Sequence, residues 1–224
     1  MEEKTGQNVV FERIEFFKDD ILSDLNPKTI KAIQNKIERF KSSFLMEDFL
    51  RIGDTAPDFE ITNAEGKKIR LSKLVRQQKI VLSFVRGAWC PYCYLELKAY
   101  QKLLPQIEAL GAGLLVISSD RPDYCIDTMT RHGLAFEVLS DKGNKVAQKY
   151  KLVYKSETDI DLWNELGLMK RDITDDDLSY ELPIPATYII DENMIVRYAY
   201  ANPDYRRRAN PIDIKNILVG LKAL

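Results

Sequence analysis

The chain has 224 residues, of which 45% are hydrophobic, so it can bury a sizeable core as one domain with additions. Its 33 Lys and Arg residues nearly balance 34 Asp and Glu residues, and a formal net charge of -1 gives no electrostatic basis for binding nucleic acid or an anionic membrane. The segment MEEKTGQNVV lacks the apolar core of a signal peptide, and no apolar run reaches the length of a membrane span. We therefore expect a cytoplasmic protein that contacts neither nucleic acid nor a membrane.

Residues 1–50 are predicted to form a helical N-terminal extension. Apolar residues recur at helical spacing in VVFERIEFFKDDILSDL, and the next segment continues the pattern after Asn26 and Pro27, a cap followed by a first-turn proline. Such an extension either packs on the main domain, which we favour, or mediates formation of a homodimer.

Residues 51–224 alternate short strand patterns with helix patterns, which predicts an α/β fold with helices on both faces of a sheet. The turn NAEG, with Gly66 suited to positive φ, predicts a hairpin. The run KIVLSFV at 79–85 is apolar throughout, as in a strand buried on both faces. Residues 153–180 are rich in charge and lack a strand pattern, so we predict a helical insertion there.

Two of the three cysteines lie in the motif GAWCPYC, between the predicted buried strand at 79–85 and a predicted long helix. The N-terminus of a helix carries partial positive charge and free N–H groups, which favour a thiolate over a thiol. Arg86, four residues before Cys90, would add to this effect. A C-x-x-C that follows a strand is typical of a redox centre, and an inert buried pair of Cys90 and Cys93 is the alternative.

Other features of the sequence are interpreted as structural. A zinc site would need Cys125 and His132 as its last two ligands, and their spacing does not fit a zinc knuckle, so no metal is expected. His132 is given no catalytic role. The basic run at 206–208 is interpreted as a solvated or carboxylate-paired face. Cys125 is favoured as a small apolar residue on a helix face.

Several segments together resemble the alkyl hydroperoxide reductase and thiol-specific antioxidant (AhpC/TSA) family, the peroxiredoxins, in its branch with a thioredoxin-style C-x-x-C. The resemblance covers about residues 51 to 220, and it implies a thioredoxin-like fold with a central mixed sheet and an added hairpin. The segments that carry it are IGDTAPDFEITNAEGKKIRLSKL, GAWCPYCYLEL, VISSDRPD, FEVLSDKGNKVAQKY, LPIPATYIID and NPDYRRRANP.

The family presents its peroxide-reducing cysteine in P-x-x-x-T-x-x-C, followed by C-x-x-E. Here Cys93 and Glu96 occupy the cysteine and glutamate places, while Cys90 stands at the threonine place and Arg86 at the proline place. The family's distant arginine would precede ATYIID, where this chain has Pro185. Pro185 instead resembles the cis-proline that faces the C-x-x-C of thioredoxins.

The resemblance implies a thiol peroxidase in antioxidant defence that needs no cofactor. Cys93 would attack a hydroperoxide, Cys90 would resolve the sulfenic acid, and Arg86 and Pro185 would contact substrate. Some family members place a resolving cysteine on the helix that here carries Cys125. A thioredoxin-like or other dithiol would recycle the disulfide.

Two alternatives stay open at this point. In a thioredoxin-type protein disulfide reductase the roles reverse, so Cys90 attacks a substrate disulfide and Cys93 resolves. In a redox-sensing binding module the disulfide state of the pair would control a partner contact without turnover.

Overall fold

The computed structural model describes residues 27–42, 49–155 and 181–223. The helix predicted within VVFERIEFFKDDILSDL and residues 156–180 of the predicted insertion lie outside the described residues. The described elements, in chain order, are α1 (Pro27–Ser42), β1 (Glu60–Thr62), β2 (Lys68–Arg70), α2 (Leu71–Leu74), β3 (Lys79–Val85), α3 (Pro91–Ala109), β4 (Ala112–Ser118), α4 (Pro122–His132), β5 (Glu137–Ser140), α5 (Lys145–Lys149), β6 (Val153–Lys155), β7 (Glu181–Pro183), β8 (Ala186–Ile190), β9 (Val196–Ala201) and α6 (Pro211–Lys222).

Five of these strands form one mixed sheet in the order β5-β4-β3-β8-β9. β3 runs parallel to β4 and antiparallel to β8, so it is the central strand. Both faces of β3 are covered by apolar cores, which explains why most residues of KIVLSFV are apolar and buried. The predicted strand at 79–85 and the mixed α/β architecture are confirmed.

Alternate side chains of β3 enter two separate apolar cores. Val81 and Val85 belong to a helix-side cluster that also contains buried residues of α1, α3, α4 and α6. Leu82 and Phe84 belong to a hairpin-side cluster built with β1, β2, α2, α5 and the β6–β7 pair. This division follows the two-residue period of a strand, and it places both cysteines of the motif in the helix-side cluster.

The smaller elements agree with the predictions in part. β1 and β2 pair antiparallel around the turn that contains Gly66, so the predicted hairpin is confirmed. The predicted insertion includes residues 153–155, but these form β6, which pairs with β7, and there the prediction was wrong. A three-residue strand is too short to show a period, so the charged residues that follow it masked its pattern.

Two side chains of α1, Ile33 and Ile37, are buried in the helix-side cluster. Most of the other described positions of α1 are exposed and polar, as expected for a helix with one packed face. Among the described helices, none combines the length and apolar character that a membrane crossing requires.

Candidate thiol redox site

The two cysteines occupy the junction between the central strand and the longest described helix. β3 ends at Val85 and α3 begins at Pro91, so Cys90 is the N-cap residue of α3 and Cys93 lies in its first turn. Pro91 suits this position because the first helical residue needs no N–H partner and its φ is already set. Both thiols are fully buried, with 0% of each residue exposed.

Two N–H donors converge on the sulfur of Cys93. The backbone N–H of Arg86 donates to Cys93 Sγ at 3.3 Å. The guanidinium of Arg208 donates to the same sulfur through Nη2, also at 3.3 Å, and the same nitrogen lies 4.0 Å from Cys90 Sγ. A thiolate at Cys93 would therefore meet one neutral and one charged donor at once.

The cysteines titrate as a tightly coupled pair. Burial raises the pKa of Cys90, but a hydrogen bond from Cys93 and the charges of Arg86 and Arg208 outweigh it and bring the pKa to about 5. The pKa of Cys93 is raised well above its usual value by burial, by its hydrogen bond to Cys90 and by the charge of Cys90. The pair thus holds one anion at neutral pH, and the two sulfurs share it with a single proton.

Arg208 connects the sulfurs to a buried carboxylate. Its Nε donates to Glu96 Oε2 at 2.7 Å, and both side chains are almost completely buried. The other oxygen of Glu96 accepts from the Tyr100 hydroxyl at 3.0 Å, and that hydroxyl shares a 2.8 Å hydrogen bond with Thr187. Burial, opposed by Arg208, raises the pKa of Glu96 to about 7.

The guanidinium of Arg86 lies between two aromatic rings. Its Cζ is 4.9 Å from the Trp89 ring centroid and 4.3 Å from that of Tyr205, within the range of cation–π attraction. Tyr205 also packs edge-on against Tyr92, with ring centroids 5.9 Å apart. The expected effect of Arg86 on the thiolate is present, because its backbone donates to Cys93 and its charge lowers the pKa of Cys90.

Pro185 differs from its expected conformation. It is buried directly before β8, but the peptide bond before it is trans, so the comparison with a cis-proline was wrong. Its ring carries no charge and cannot replace the distant arginine of the family. Arg208, which the loop between β9 and α6 delivers to the cysteines, supplies a guanidinium there instead.

The site residue that sequence reasoning missed is therefore Arg208. In the basic run 206–208, Arg206 and Arg207 pair with Asp204, as the carboxylate-paired interpretation expected. Arg208 turns inward, and its side chain is only 1% exposed. Nothing local distinguishes one arginine of three, since its partner Glu96 lies 112 residues earlier in the chain.

The third cysteine lies apart from this hydrogen-bonded set. Cys125 is on α4, is 3% exposed, and has its sulfur 3.9 Å from the carbonyl oxygen of Asp120. Burial, and then the charge of Asp120, raise its pKa to about 12, which makes it a weak nucleophile at neutral pH. Its role as an alternative resolving cysteine stays a prediction. The ring centroid of His132 lies 4.4 Å from that of Tyr94, so this histidine packs against an aromatic ring rather than beside the pair.

Residues 52–199, which hold the central strand, both paired cysteines and Glu96, match the model of the AhpC/TSA family. The chain belongs to the AhpC/TSA family. Arg208 lies beyond the matched residues, so the guanidinium that donates to Cys93 comes from a part of the chain that the family match does not include.

Curated relatives of this AhpC/TSA protein are thiol-disulfide oxidoreductases. ResA of Bacillus anthracis is 31% identical over 112 residues, which is 50% of this chain and 64% of that protein. ResA of Geobacillus kaustophilus is 29% identical over 112 residues, or 50% of this chain and 63% of that protein. The chain thus spans less than two thirds of the length of these relatives.

Solved structures with the same fold are peroxiredoxins. Peroxidoxin BcpB of Mycobacterium tuberculosis superposes with a TM-score of 0.60 at 21% identity, covering 78% of this chain and 98% of that one. A peroxiredoxin-like protein of Aquifex aeolicus gives a TM-score of 0.59 at 20% identity, covering 77% of this chain and 88% of that one. At these identities the likeness shows the fold alone, which is thioredoxin-like as predicted.

Replacing Gly87 by Ala should destabilise the loop before Cys90. Gly87 has φ +137, and a Cβ there would lie 2.5 Å from Trp89 Nε1 and 2.6 Å from Asp120 Oδ1. We expect a loss of about 2–3 kcal/mol in the free energy of unfolding, measured by urea denaturation. G66A is the matched control, because Gly66 also has positive φ but open space around it, and its loss should be about 1 kcal/mol. Equal losses would contradict the proposed clash.

Replacing Glu96 by Gln should change how stability depends on pH. Burial raises the pKa of Glu96 above its usual 4.5 to about 7, so the folded protein holds a proton that the unfolded chain releases. The stabilisation from this proton is complete below pH 4.5 and is lost as the pH rises to 7, a change of about 3 kcal/mol. Urea unfolding of the reduced proteins at pH 4.5 and pH 8 measures this change. Between the two pH values, the free energy of unfolding of wild type should fall by about 3 kcal/mol more than that of E96Q.

Both E96Q and wild type contain the thiols, so the thiol titration is common to the two proteins apart from its coupling with Glu96, whose pKa the charge of Cys93 raises. E108Q is the control, since Glu108 is an exposed residue of the same helix. A stability difference for E96Q that is equal at the two pH values would contradict the raised pKa of Glu96.

Proposed function

We propose that this protein is a thiol peroxidase that reduces hydrogen peroxide or organic hydroperoxides, with Cys93 as the attacking residue. The observation that carries this proposal is the convergence of the Arg86 N–H and the Arg208 guanidinium on Cys93 Sγ, each at 3.3 Å. Peroxide reduction needs an anionic sulfur and donors already in place for the oxygen that departs. The donors lie at Cys93, and the coupled pair supplies the anion. Burial and the charge of Cys90 hold the shared proton on Cys93, so this proton passes to Cys90 before Cys93 attacks.

In the first step the Cys93 thiolate attacks one peroxide oxygen. A sulfur–oxygen bond forms, the oxygen–oxygen bond breaks, and the second oxygen leaves as hydroxide or alkoxide and takes a proton to become water or alcohol. The Arg208 guanidinium stabilises the charge on the departing oxygen, as preorganised donors do at other developing oxyanions. Cys93 is thereby oxidised to sulfenic acid.

In the second step the sulfur of Cys90 attacks the sulfenic sulfur of Cys93. A disulfide forms and the oxygen departs as water, having taken the proton of the second thiol. A thioredoxin-like dithiol then reduces the disulfide through a mixed disulfide, so the electrons that reduce the peroxide come from that protein. Because Cys90 is the N-cap and Cys93 is in the first turn, one turn of α3 supplies both sulfurs.

The burial of both cysteines favours a small oxidant over a protein disulfide. Neither residue exposes any surface, so a folded protein could contact either sulfur only after a rearrangement of the first turn of α3. A protein disulfide would need this rearrangement in the oxidising step, whereas a peroxidase needs it only afterwards, when the thioredoxin-like dithiol recycles the disulfide. A peroxide is small enough to approach through a much smaller opening.

A second candidate is a C-x-x-C protein disulfide reductase. Two observations favour it: the pKa of Cys90 at about 5, and the sequence likeness to ResA proteins. In that reaction the Cys90 thiolate would attack a protein disulfide, and Cys93 would close the intramolecular disulfide and release the reduced product.

A coupled assay separates the two candidates. NADPH consumption is followed with thioredoxin, thioredoxin reductase and either hydrogen peroxide or insulin as the substrate. We expect turnover with peroxide and little acceleration of insulin reduction. Insulin reduction clearly faster than that by thioredoxin and its reductase alone, without turnover of peroxide, would favour the disulfide reductase. Turnover with neither, together with a partner retained in one redox state, would favour the redox-sensing module.

A further inference from the structure

Two hydrogen bonds connect the loop that follows β4 to the loop between β3 and α3, which leads to the cysteines. The hydroxyl of Ser119 donates to the carbonyl oxygen of Arg86 at 2.8 Å. The carboxylate of Asp120 accepts from the backbone N–H of Ala88 through Oδ2 at 2.6 Å. The two contacts lie on either side of Gly87, so the short segment from Arg86 to Ala88 is fixed at both ends.

The two holding residues are themselves held in place. Asp120 is 8% exposed and Ser119 is 6% exposed, so neither makes its contact as a mobile surface side chain. The hydroxyl of Ser118 donates to Asp120 Oδ2 at 3.1 Å and accepts from the Asp120 N–H at 3.2 Å. The hydroxyl of Ser140 donates to the Asp120 carbonyl at 2.6 Å, which ties this loop to β5.

Arg86 is the residue whose backbone N–H points at Cys93 Sγ. An N–H in a loop keeps such an aim only while the surrounding backbone is fixed, and a shift of about 1 Å would lengthen the hydrogen bond beyond useful range. The backbone at Gly87 also lies close to the carboxylate of Asp120, because a Cβ at this position would lie 2.6 Å from Asp120 Oδ1.

We propose that Ser119 and Asp120 are positioning residues that aim the Arg86 N–H at the reacting sulfur. The inference rests on the proposed function in taking Cys93 as the reacting residue. Ser119 and Asp120 act through the backbone of residues 86–88, since the hydroxyl of Ser119 donates to the Arg86 carbonyl oxygen and the carboxylate of Asp120 accepts from the Ala88 N–H.

The direction of the change in the apparent pKa of the cysteine pair distinguishes a positioning role of Asp120 from an effect of its charge. A buried carboxylate near a thiol disfavours the thiolate, so removal of the Asp120 charge would by itself lower the apparent pKa of the pair. Loss of the hydrogen bond that positions Arg86 would raise it, because the thiolate would lose a donor. D120A removes both charge and contact, whereas D120N removes the charge and keeps an oxygen that can accept from Ala88.

The test is a titration of the thiolate by its absorbance at 240 nm in the full chain, with a parallel measurement of hydrogen peroxide oxidation at pH 5. We expect S119A to raise the apparent pKa of the pair by about one unit and to slow oxidation about fivefold at that pH. D120A should have an apparent pKa about one unit above that of D120N, because both variants lack the same charge and only D120A lacks the contact to Ala88. D120N should leave the pKa unchanged or lower it. D123N is the control, since Asp123 is an exposed neighbour that pairs with Arg121.

The outcomes are decisive in both directions. An apparent pKa in folded D120A that is equal to or lower than that of D120N would overturn the proposal. If D120A does not fold, as judged by circular dichroism, the pKa of S119A decides alone, and a value equal to wild type overturns it. The titration needs no turnover, so a wild type that ignores peroxide would defeat the proposed function while the pKa results still judge the positioning role.

Discussion

Replacing Cys93 by Ser should abolish peroxide consumption, whereas replacing Cys90 by Ser should leave a protein that reacts with peroxide once and then stops. Cys93 receives both 3.3 Å donors, so its sulfur is the one prepared for attack. Without Cys90 no disulfide can form, and the sulfenic acid persists or is oxidised further to sulfinic acid. Intact-protein mass spectrometry after one equivalent of peroxide should show a gain of one oxygen on C90S and none on C93S.

Cys125→Ser is the matched control for this prediction. Cys125 is buried in the same helix-side cluster, but the described hydrogen bonds give its sulfur no contact with Arg208. C125S should therefore keep at least half of the wild-type rate. Should C90S lose all reaction with peroxide while C93S retains it, the roles of the two sulfurs would be reversed and the disulfide reductase would be favoured. Loss of turnover in C125S would instead make Cys125 the resolving residue.

Replacing Arg208 by Gln should slow the oxidation of Cys93 by hydrogen peroxide about 100-fold at pH 7. The change removes a charged donor from the sulfur and from the departing oxygen, and one such donor contributes about 3 kcal/mol to a transition state. It also leaves the buried carboxylate of Glu96 without its cation, so we expect a loss of about 3 kcal/mol in the free energy of unfolding. Stopped-flow kinetics and urea denaturation measure the two effects separately.

Two further variants test the specificity of the Arg208 effect. R207Q is the matched control, since Arg207 is in the same loop with a side chain 61% exposed and a long ion pair of 3.8 Å to Asp204. Its rate and stability should stay near those of wild type. R208Q combined with E96Q should recover much of the lost stability, because the unpaired carboxylate is gone, but not the lost rate. A rate for R208Q equal to that of R207Q would contradict the role of Arg208.

Prediction of the site from sequence succeeded where the decisive features lie in adjacent residues of the chain. The apolar run of β3, the cap position of Cys90 and the first-turn proline are neighbours in the chain, and together they place two sulfurs at a helix N-terminus. A sheet with helices on both faces followed from alternating strand and helix patterns, and its mixed character from the family resemblance. Prediction failed for β6, whose three residues are too few to show a pattern, and for Pro185, whose trans peptide bond no residue type dictates.

The sequence by itself determined that two cysteines sit where a buried strand becomes a helix, because hydrophobic period and proline placement are properties of adjacent residues. Only the tertiary structure decided which charges surround them. Arg208 reaches Cys93 across 115 residues, and Asp120 reaches Ala88 across 32, through the meeting of loops at one edge of the sheet. A side chain's burial and its distant partners depend on how all the elements pack, so one arginine of three became part of the site while its two neighbours pair with Asp204.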